Sequence, residues 1–182
     1  MIKVRDARPD DLAACAAMAV DSEIGHRYGF ETGTLQARMS AAMDSGATIV
    51  IAELEAGTGI GSPFGGASPK GEPQDEKSLR GASSASLVGF AWVDPRGAFG
   101  SAPYLKLIAV DASARSSGIG AALLAEFEKR TAGQGRLWTL LVSDFNTRAQ
   151  AFYASHGYRE AGRLAGFAIE GVAEIIMVKA KT

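Results

Sequence analysis

Cysteine is nearly absent from this sequence: Cys15 is the only one among 182 residues. One cysteine excludes an intramolecular disulfide and a cysteine-rich zinc site. Long apolar runs are also missing, since the longest falls well short of the roughly 20 residues that a membrane helix needs. Met1 is followed by charged residues and by no apolar segment, so no signal peptide is predicted. We therefore expect a cytoplasmic protein with no metal and no membrane partner.

An excess of charge of either sign is missing too. The sequence has 19 Lys and Arg against 20 Asp and Glu, a net charge of −1, so no global basic surplus points to nucleic acid. Hydrophobic residues make up 47% and charged residues 21%, both close to the globular norm. This composition excludes a wholly disordered chain and a long coiled coil. At this length a single domain, residues 1–182, is predicted.

Glycine, in contrast, is abundant: 22 of 182 residues, against an average usage of about 7%. The surplus is concentrated in residues 57–86, where 16 of 30 residues are Gly, Ser or Pro. Such a segment buries too little apolar surface to offset the entropy of ordering it. The segments on either side, 48–54 and 87–93, are rich in β-branched or aromatic residues and are predicted strands. We therefore expect a β-hairpin that carries a flexible insertion.

Helices and strands alternate along the rest of the chain. Pro9 and two acidic residues open a first helix, whose apolar face places Cys15 in the core. A second helix is predicted from Thr34 to Ser45, with a loop over residues 25–33 between the two. After the hairpin, strands are predicted over 104–110, 137–142, 158–166 and 172–179, and helices over 118–132 and 146–155. This order favours a mixed sheet with helices on both faces.

The most informative stretch is a strand that ends at Val110, followed by a short loop and a helix that opens with Gly118 and Gly120. Small residues in this loop leave the backbone N–H groups accessible. A helix N-terminus with free N–H groups favours anions, and Arg115 adds a cation nearby. Phosphate or pyrophosphate is the ligand that this arrangement predicts.

The glycine pair has three other interpretations. The glycines could simply allow the helix to pack closely on the sheet. A Walker A loop requires a lysine, which does not follow Gly120. A dinucleotide-binding oxidoreductase requires a third glycine where Leu123 stands and a tighter turn than the seven residues between Val110 and Gly118, although Asp144 lies roughly where a ribose-binding acid is needed.

Two motifs resemble those of the GCN5-related N-acetyltransferase (GNAT) superfamily. Residues 115–120 match its acetyl-CoA signature, [Q/R]-x-x-G-x-[G/A], and residues 146–158 match its N-x-x-A-x-x-F-Y-x-x-x-G-[FY] block. Apart from the insertion, the resemblance covers nearly the whole chain. It implies an α/β GNAT-like fold: a mostly antiparallel sheet, splayed at the cofactor site and flanked by four helices.

The resemblance also assigns residues to the cofactor, acetyl-CoA. It implies that a strand edge pairs with the pantetheine arm, that loop amides hold the pyrophosphate, and that the asparagine of the second motif contacts the cofactor. In this sequence the strand-edge residues are Ile108 and Val110, the loop residues are Arg115, Ser116, Ser117, Gly118, Ile119 and Gly120, and the asparagine is Asn146. Asn146 would also serve as a helix N-cap.

Tyr153 is the implied catalytic residue. In the superfamily the tyrosine of the Phe-Tyr pair protonates the departing thiolate, and general acid catalysis of this kind contributes typically about 10²–10⁴-fold. The alternative is an ordinary amphipathic helix face. Some relatives carry a glutamate base on the strand before the loop, but Lys106 lies near that position here, and lysine is a poor base unless its pKa is strongly lowered. Other base candidates, by location only, are Glu23, His26, Glu31 and Asp94.

The function that the resemblance implies is transfer of an acetyl group from acetyl-CoA to a primary amine, by direct attack in a ternary complex. The expected acceptor is a small molecule or an amino acid, in a pocket shaped by residues 25–33 and 164–172. Alternatives are a protein N-terminal or lysine acetyltransferase and a CoA-binding regulatory module with degenerate catalysis. A homodimer paired through the last strands, as in many relatives, is left open.

Overall fold

The computed structural model describes residues 1–55 and 86–181. They form one seven-stranded sheet in the order β1-β2-β3-β4-β5-β7-β6, with helices on both faces. The strands are β1 (Ile2–Asp6), β2 (Thr48–Leu54), β3 (Ser86–Ala98), β4 (Ala102–Val110), β5 (Leu137–Ser143), β6 (Arg159–Ala165) and β7 (Ala173–Ala180). The helices are α1 (Leu12–Val20), α2 (Glu23–Tyr28), α3 (Thr32–Asp44), α4 (Ile119–Arg130) and α5 (Thr147–Ser155).

The sheet is mostly antiparallel, as the sequence predicted. Five of its six neighbouring strand pairs are antiparallel, and only β4 and β5 run parallel. The parallel pair is joined through α4, which matches the rule that parallel neighbours need a crossover connection. The pairing of the strands therefore changes from antiparallel to parallel between β4 and β5, at the centre of the sheet.

Two apolar layers hold the helices on the sheet. One layer lies beneath α4 and α5 and includes Leu123, Phe127 and Tyr153. The other lies beneath α1 and α3 and includes Met39, Phe90 and Cys15. Cys15 is fully buried, which confirms its predicted place in the core, and burial raises the pKa of its thiol to about 12.

The prediction of four helices was wrong, because five lie in the described part of the chain. The additional helix is α2, in a segment that was predicted to be a loop. The Ser22 hydroxyl caps it by accepting a hydrogen bond from the Gly25 N–H at 3.0 Å, and Gly29 ends it at a φ of +62°. Gly25 itself is needed for close packing, since a Cβ there would lie 2.2 Å from the Ala19 carbonyl oxygen.

Other boundaries of helices and strands differ slightly from the predicted ones. The first helix opens as a 3₁₀ turn, Pro9–Asp11, before α1 begins. The predicted insertion at 57–86 lies outside the described residues, except for Ser86, which is already the first residue of β3. No helix within the two described ranges is long and apolar enough to cross a membrane.

Candidate functional site

The strands β4 and β5 separate part of the way along their length. Only Tyr104 with Thr139 and Leu105 with Leu140 are paired, so the rest of β4 as far as Val110 has no partner on its β5 side. On the other side, β4 stays paired with β3 to its last residue. A cleft of about 230 Å³ opens at the splay. Its walls come from both faces of the sheet and include Tyr28, Ile108, Asn146, Tyr153 and Glu174.

A β-bulge in β4 lies at the edge of this cleft. Leu105 pairs with Val93 and Leu107 with Trp92, so that Lys106 is an extra residue with no partner in β3. Bulges redirect side chains and often lie beside functional sites. The Lys106 side chain is exposed, and its Nζ lies 4.6 Å from the centre of the Trp92 ring.

The loop before α4 leads into backbone N–H groups that have no acceptor in the helix. The first α4 hydrogen bond runs from the Ala122 N–H to the Gly118 carbonyl at 3.0 Å, so the amides of residues 119–121 have no acceptor within the helix. Ser116 and Gly118 adopt positive φ angles of 66° and 85°. Arg115 is exposed beside them. This arrangement of amides and a cation suits an anion.

The three remaining residues of the motif stabilise the local structure. Ile119 is buried in the layer beneath α4. A Cβ at Gly120 would lie 3.4 Å from Cζ of Phe152, and therefore Gly120 lets α4 approach α5 closely. The Ser117 hydroxyl donates to the Ala114 carbonyl at 2.5 Å, which fixes the turn into α4.

The α5 helix carries two predicted site residues into the cleft. Asn146 caps the helix, because its Oδ1 accepts a hydrogen bond from the Ala149 N–H at 3.1 Å, and it also lines the cleft. Tyr153 lines the cleft from the next turns and is only 6% exposed. Burial raises the pKa of the Tyr153 hydroxyl well above its ordinary value of 10, so it is protonated at neutral pH.

Sequence reasoning missed a buried carboxylate in the cleft. Glu174 is 6% exposed and lies on β7 beside Ser143 of β5. Its Oε1 accepts hydrogen bonds from the hydroxyl of Tyr28 and from Ser143 Oγ, and the two hydroxyl oxygens are 2.7 Å apart. The only signal in the sequence was one charged residue near the start of an apolar strand.

The four residues that were candidates for the general base by their location in the sequence do not line the cleft. Glu23, His26 and Glu31 are exposed and do not line the cleft. Asp94 accepts a hydrogen bond from the Arg96 N–H at 3.0 Å and does not line it either. Within residues 1–55 and 86–181, no group of three or more His, Cys, Asp or Glu side chains could hold a metal ion.

Comparison with known proteins gives one family match and many matches of the fold. Residues 81–160 match the "Acetyltransferase (GNAT) domain" family. No curated protein sequence matches the chain. Many solved structures match its fold: a putative GNAT acetyltransferase from Desulfovibrio desulfuricans is 20% identical with a TM-score of 0.68, over 100% of both chains. A GNAT acetyltransferase from Bacillus cereus is 20% identical with a TM-score of 0.67, over 100% of this chain and 99% of that one.

A third structure was solved with a cofactor. A putative acetyltransferase from Salmonella typhimurium, determined with acetyl-CoA, is 13% identical with a TM-score of 0.64, over 100% of this chain and 95% of that one. Identities this low establish the fold alone. Residues 81–160 therefore match the GNAT acetyltransferase domain family, and the whole chain shares its fold with solved GNAT acetyltransferases.

Proposed function

We propose that this protein transfers an acetyl group from acetyl-CoA to a primary amine. The observation that carries the proposal is that Tyr153 lines the cleft between β4 and β5, while its neighbour Phe152 packs beside Gly120 of the loop motif. A cofactor whose phosphates lie on the loop and whose thioester lies in the cleft would meet the Tyr153 hydroxyl. The acceptor then approaches from the opposite face of the sheet.

The cofactor subsite is assigned residue by residue. The backbone from Arg115 to Gly120 would hold the pyrophosphate, since its amides lack acceptors in the helix and Arg115 supplies a charge. The unpaired edge of β4 at Ile108 and Val110 would pair with the pantetheine amides, as a peptide does when it adds a strand to a sheet. Asn146 would contact the arm while it caps α5.

Tyr153 would act as the general acid. The amine nitrogen attacks the thioester carbonyl carbon, the C–S bond breaks, and the departing thiolate takes the proton of Tyr153. The raised pKa of this hydroxyl keeps the proton in place until a thiolate develops. A small amine or amino acid is the favoured acceptor, because the cleft of about 230 Å³ is small. A protein N-terminus or lysine that inserts only its amine is the second candidate.

Calorimetric titration tests the cofactor assignment first. The protein should bind acetyl-CoA and CoA and should not bind NAD(P)⁺. Binding of NAD(P)⁺ in place of CoA would contradict the proposal and favour the oxidoreductase. Binding of CoA without turnover of any amine would favour a regulatory module with degenerate catalysis.

A further inference from the structure

The carboxylate of Glu174 is buried in the cleft without a cation. No arginine or lysine in the described part of the chain forms an ion pair with it. Burying a carboxylate is costly unless it is paired and hydrogen-bonded, and here only the hydroxyls of Tyr28 and Ser143 donate to it. Both bind Oε1, so Oε2 accepts no hydrogen bond from a described residue. The site lacks a positively charged donor.

Glu174 and Tyr153 reach the cleft from opposite faces of the sheet. Tyr153 belongs to the layer beneath α4 and α5, as does Ile175. Because side chains alternate along a strand, Glu174 projects to the other face, where it meets Tyr28 of α2. A thioester in the splay would therefore have the Tyr153 hydroxyl on one side and the Glu174 carboxylate on the other.

The surroundings of Glu174 are largely apolar. Ile24, Tyr28, Phe30 and Phe167 line the same cleft, and Tyr28 contacts Glu174 directly. Lys106 is the only lysine or arginine among the described lining residues, and it lies at the bulge against Trp92. A ligand with a positive head and an apolar or aromatic body fits this combination, since aromatic faces also attract cations.

We propose that Glu174, held by Tyr28 and Ser143, binds the ammonium group of the acceptor and takes its proton. The acceptor class is then a primary amine with an apolar or aromatic body and no carboxylate next to the amine, which narrows the small acceptors favoured above to amines other than free amino acids. This inference rests on the proposed acetyl transfer and gives it the base that Lys106 cannot supply.

The protons balance as follows. The ammonium gives one proton to Glu174, which passes it to solvent, and the neutral nitrogen forms a bond to the thioester carbonyl carbon. The C–S bond then breaks and the thiolate takes the proton of Tyr153. The nitrogen still carries one proton too many, and this proton restores the Tyr153 hydroxyl. The products are an N-acetyl amine, CoA thiol and one released proton.

Several ionisable groups face Glu174 and bear on a pH profile. Tyr28 of α2 and Tyr104 of β4 each have a pKa raised to about 12, mainly by burial, so both stay neutral below pH 10. Asp144 follows β5 and adds negative charge near Tyr28. Tyr153 of α5 is protonated, and Lys106 of β4 lines the same cleft with its Nζ 4.6 Å from the centre of the Trp92 ring. Glu174 is the only carboxylate among the described residues that line the cleft.

The test compares Glu174→Gln with Glu55→Gln, an exposed carboxylate outside the cleft. Glutamine still accepts the Tyr28 hydrogen bond through its amide oxygen, so the melting temperature should change little. With tyramine as acceptor, kcat/KM should fall at least about 100-fold in Glu174→Gln. Acetyl-CoA affinity should match that of the wild type, as should every property of Glu55→Gln.

A binding measurement makes the inference independent of turnover. Tyramine should bind the wild-type complex with CoA at least tenfold more tightly than the Glu174→Gln complex, and glutamate should bind neither. Unchanged tyramine affinity or unchanged kcat/KM in Glu174→Gln overturns the role of Glu174. Absence of tyramine binding to the wild type overturns the acceptor class. Wild-type binding of acetyl-CoA and tyramine without acetylation overturns the proposed function instead.

Discussion

Tyr153 and Tyr158 are neighbouring buried tyrosines with different surroundings. Their ring centres are 5.9 Å apart in an edge-to-face contact, but only Tyr153 lines the cleft. Both rings contribute to the same apolar layer. A change at one hydroxyl can therefore be compared with the same change at the other.

Tyr153→Phe should lower kcat more than tenfold and leave acetyl-CoA affinity nearly unchanged, because the ring stays packed and only the proton donor is lost. Tyr158→Phe is the matched control and should keep wild-type kcat. Steady-state kinetics with calorimetry measures both quantities. Wild-type kcat in Tyr153→Phe would refute the acid role.

Gly118 and Gly46 share a positive φ, of 85° and 93°, and at both a Cβ would have open space around it. Only Gly118 lies on the loop that is proposed to bind the cofactor phosphates. Substitution by valine strains the backbone equally at the two sites.

Gly118→Val should therefore weaken acetyl-CoA binding at least tenfold, because its side chain projects where phosphate would lie, whereas Gly46→Val should lose similar stability and no affinity. Calorimetric titration of both variants with acetyl-CoA measures the two affinities. Equal acetyl-CoA affinity in the two would remove the loop from the proposed site.

Residues differ in how far the sequence could predict them. Asn146 and Tyr153 lie on one helix, within one local motif, and both line the cleft. Glu174, Tyr28 and Ser143 come together only through the fold: 146 residues separate Glu174 from Tyr28, and 31 separate it from Ser143. No local pattern contains that juxtaposition.

At the scale of elements, the long helices and the strands could be predicted from the sequence, whereas the short helix α2 could not. The long amphipathic helices and apolar strands were predicted to within a few residues, but α2 has only six residues and contains a glycine. Its caps, Ser22 and Gly29, were visible in the sequence, yet six residues are too few for apolar periodicity to be recognised. The close approach to Ala19 that requires Gly25 is a tertiary contact.

Arg5 joins three elements at the edge of the sheet. From β1 it donates hydrogen bonds to Glu53 of β2 at 2.6 Å and to Asp11 of the 3₁₀ turn at 2.7 Å. Asp11 also accepts from the Arg8 N–H at 2.7 Å. The hydrogen bond from Arg5 is the largest influence that lowers the pKa of Asp11 below 3.8.

Asp11→Asn should lower the free energy of unfolding by about 1 kcal/mol at pH 7. Because the folded pKa is lowered, the stabilisation is fully present above the unfolded value near 3.8 and is lost as the pH falls through the folded value. Urea unfolding at pH 7 and at pH 2 should show the difference shrinking in acid. Asp10→Asn, exposed in the same turn, is the control. A difference independent of pH would contradict this account.

At the scale of the whole molecule, residues 1–55 and 86–181 contribute to both apolar layers and to the lining of the cleft. The β2–β3 ladder runs to Leu54 opposite Ser86, so the hairpin ends are already adjacent. The order of elements predicted a mixed sheet, and the family resemblance implied that it is mostly antiparallel. The parallel β4–β5 pair with only two paired positions is a tertiary arrangement that creates the site.

Deleting residues 60–84 should leave folding and acetyl-CoA binding intact. The deletion shortens the connection between Leu54 and Ser86 from 31 residues to six, which lowers the entropy cost of closing the hairpin by about 1 kcal/mol. Thermal unfolding and calorimetry on the shortened chain check this. A much lower melting temperature would show that the segment is part of the fold. Loss of acetyl-CoA affinity would show that it is part of the site.

The central claim is acetyl transfer in the cleft between β4 and β5, and product analysis tests it most directly. Wild-type protein with acetyl-CoA and a panel of primary amines should yield one N-acetyl amine for each CoA thiol released, identified by mass spectrometry. Tyr153→Phe should form the same product more than tenfold more slowly. Tight acetyl-CoA binding with no N-acetyl product from any amine would contradict the claim.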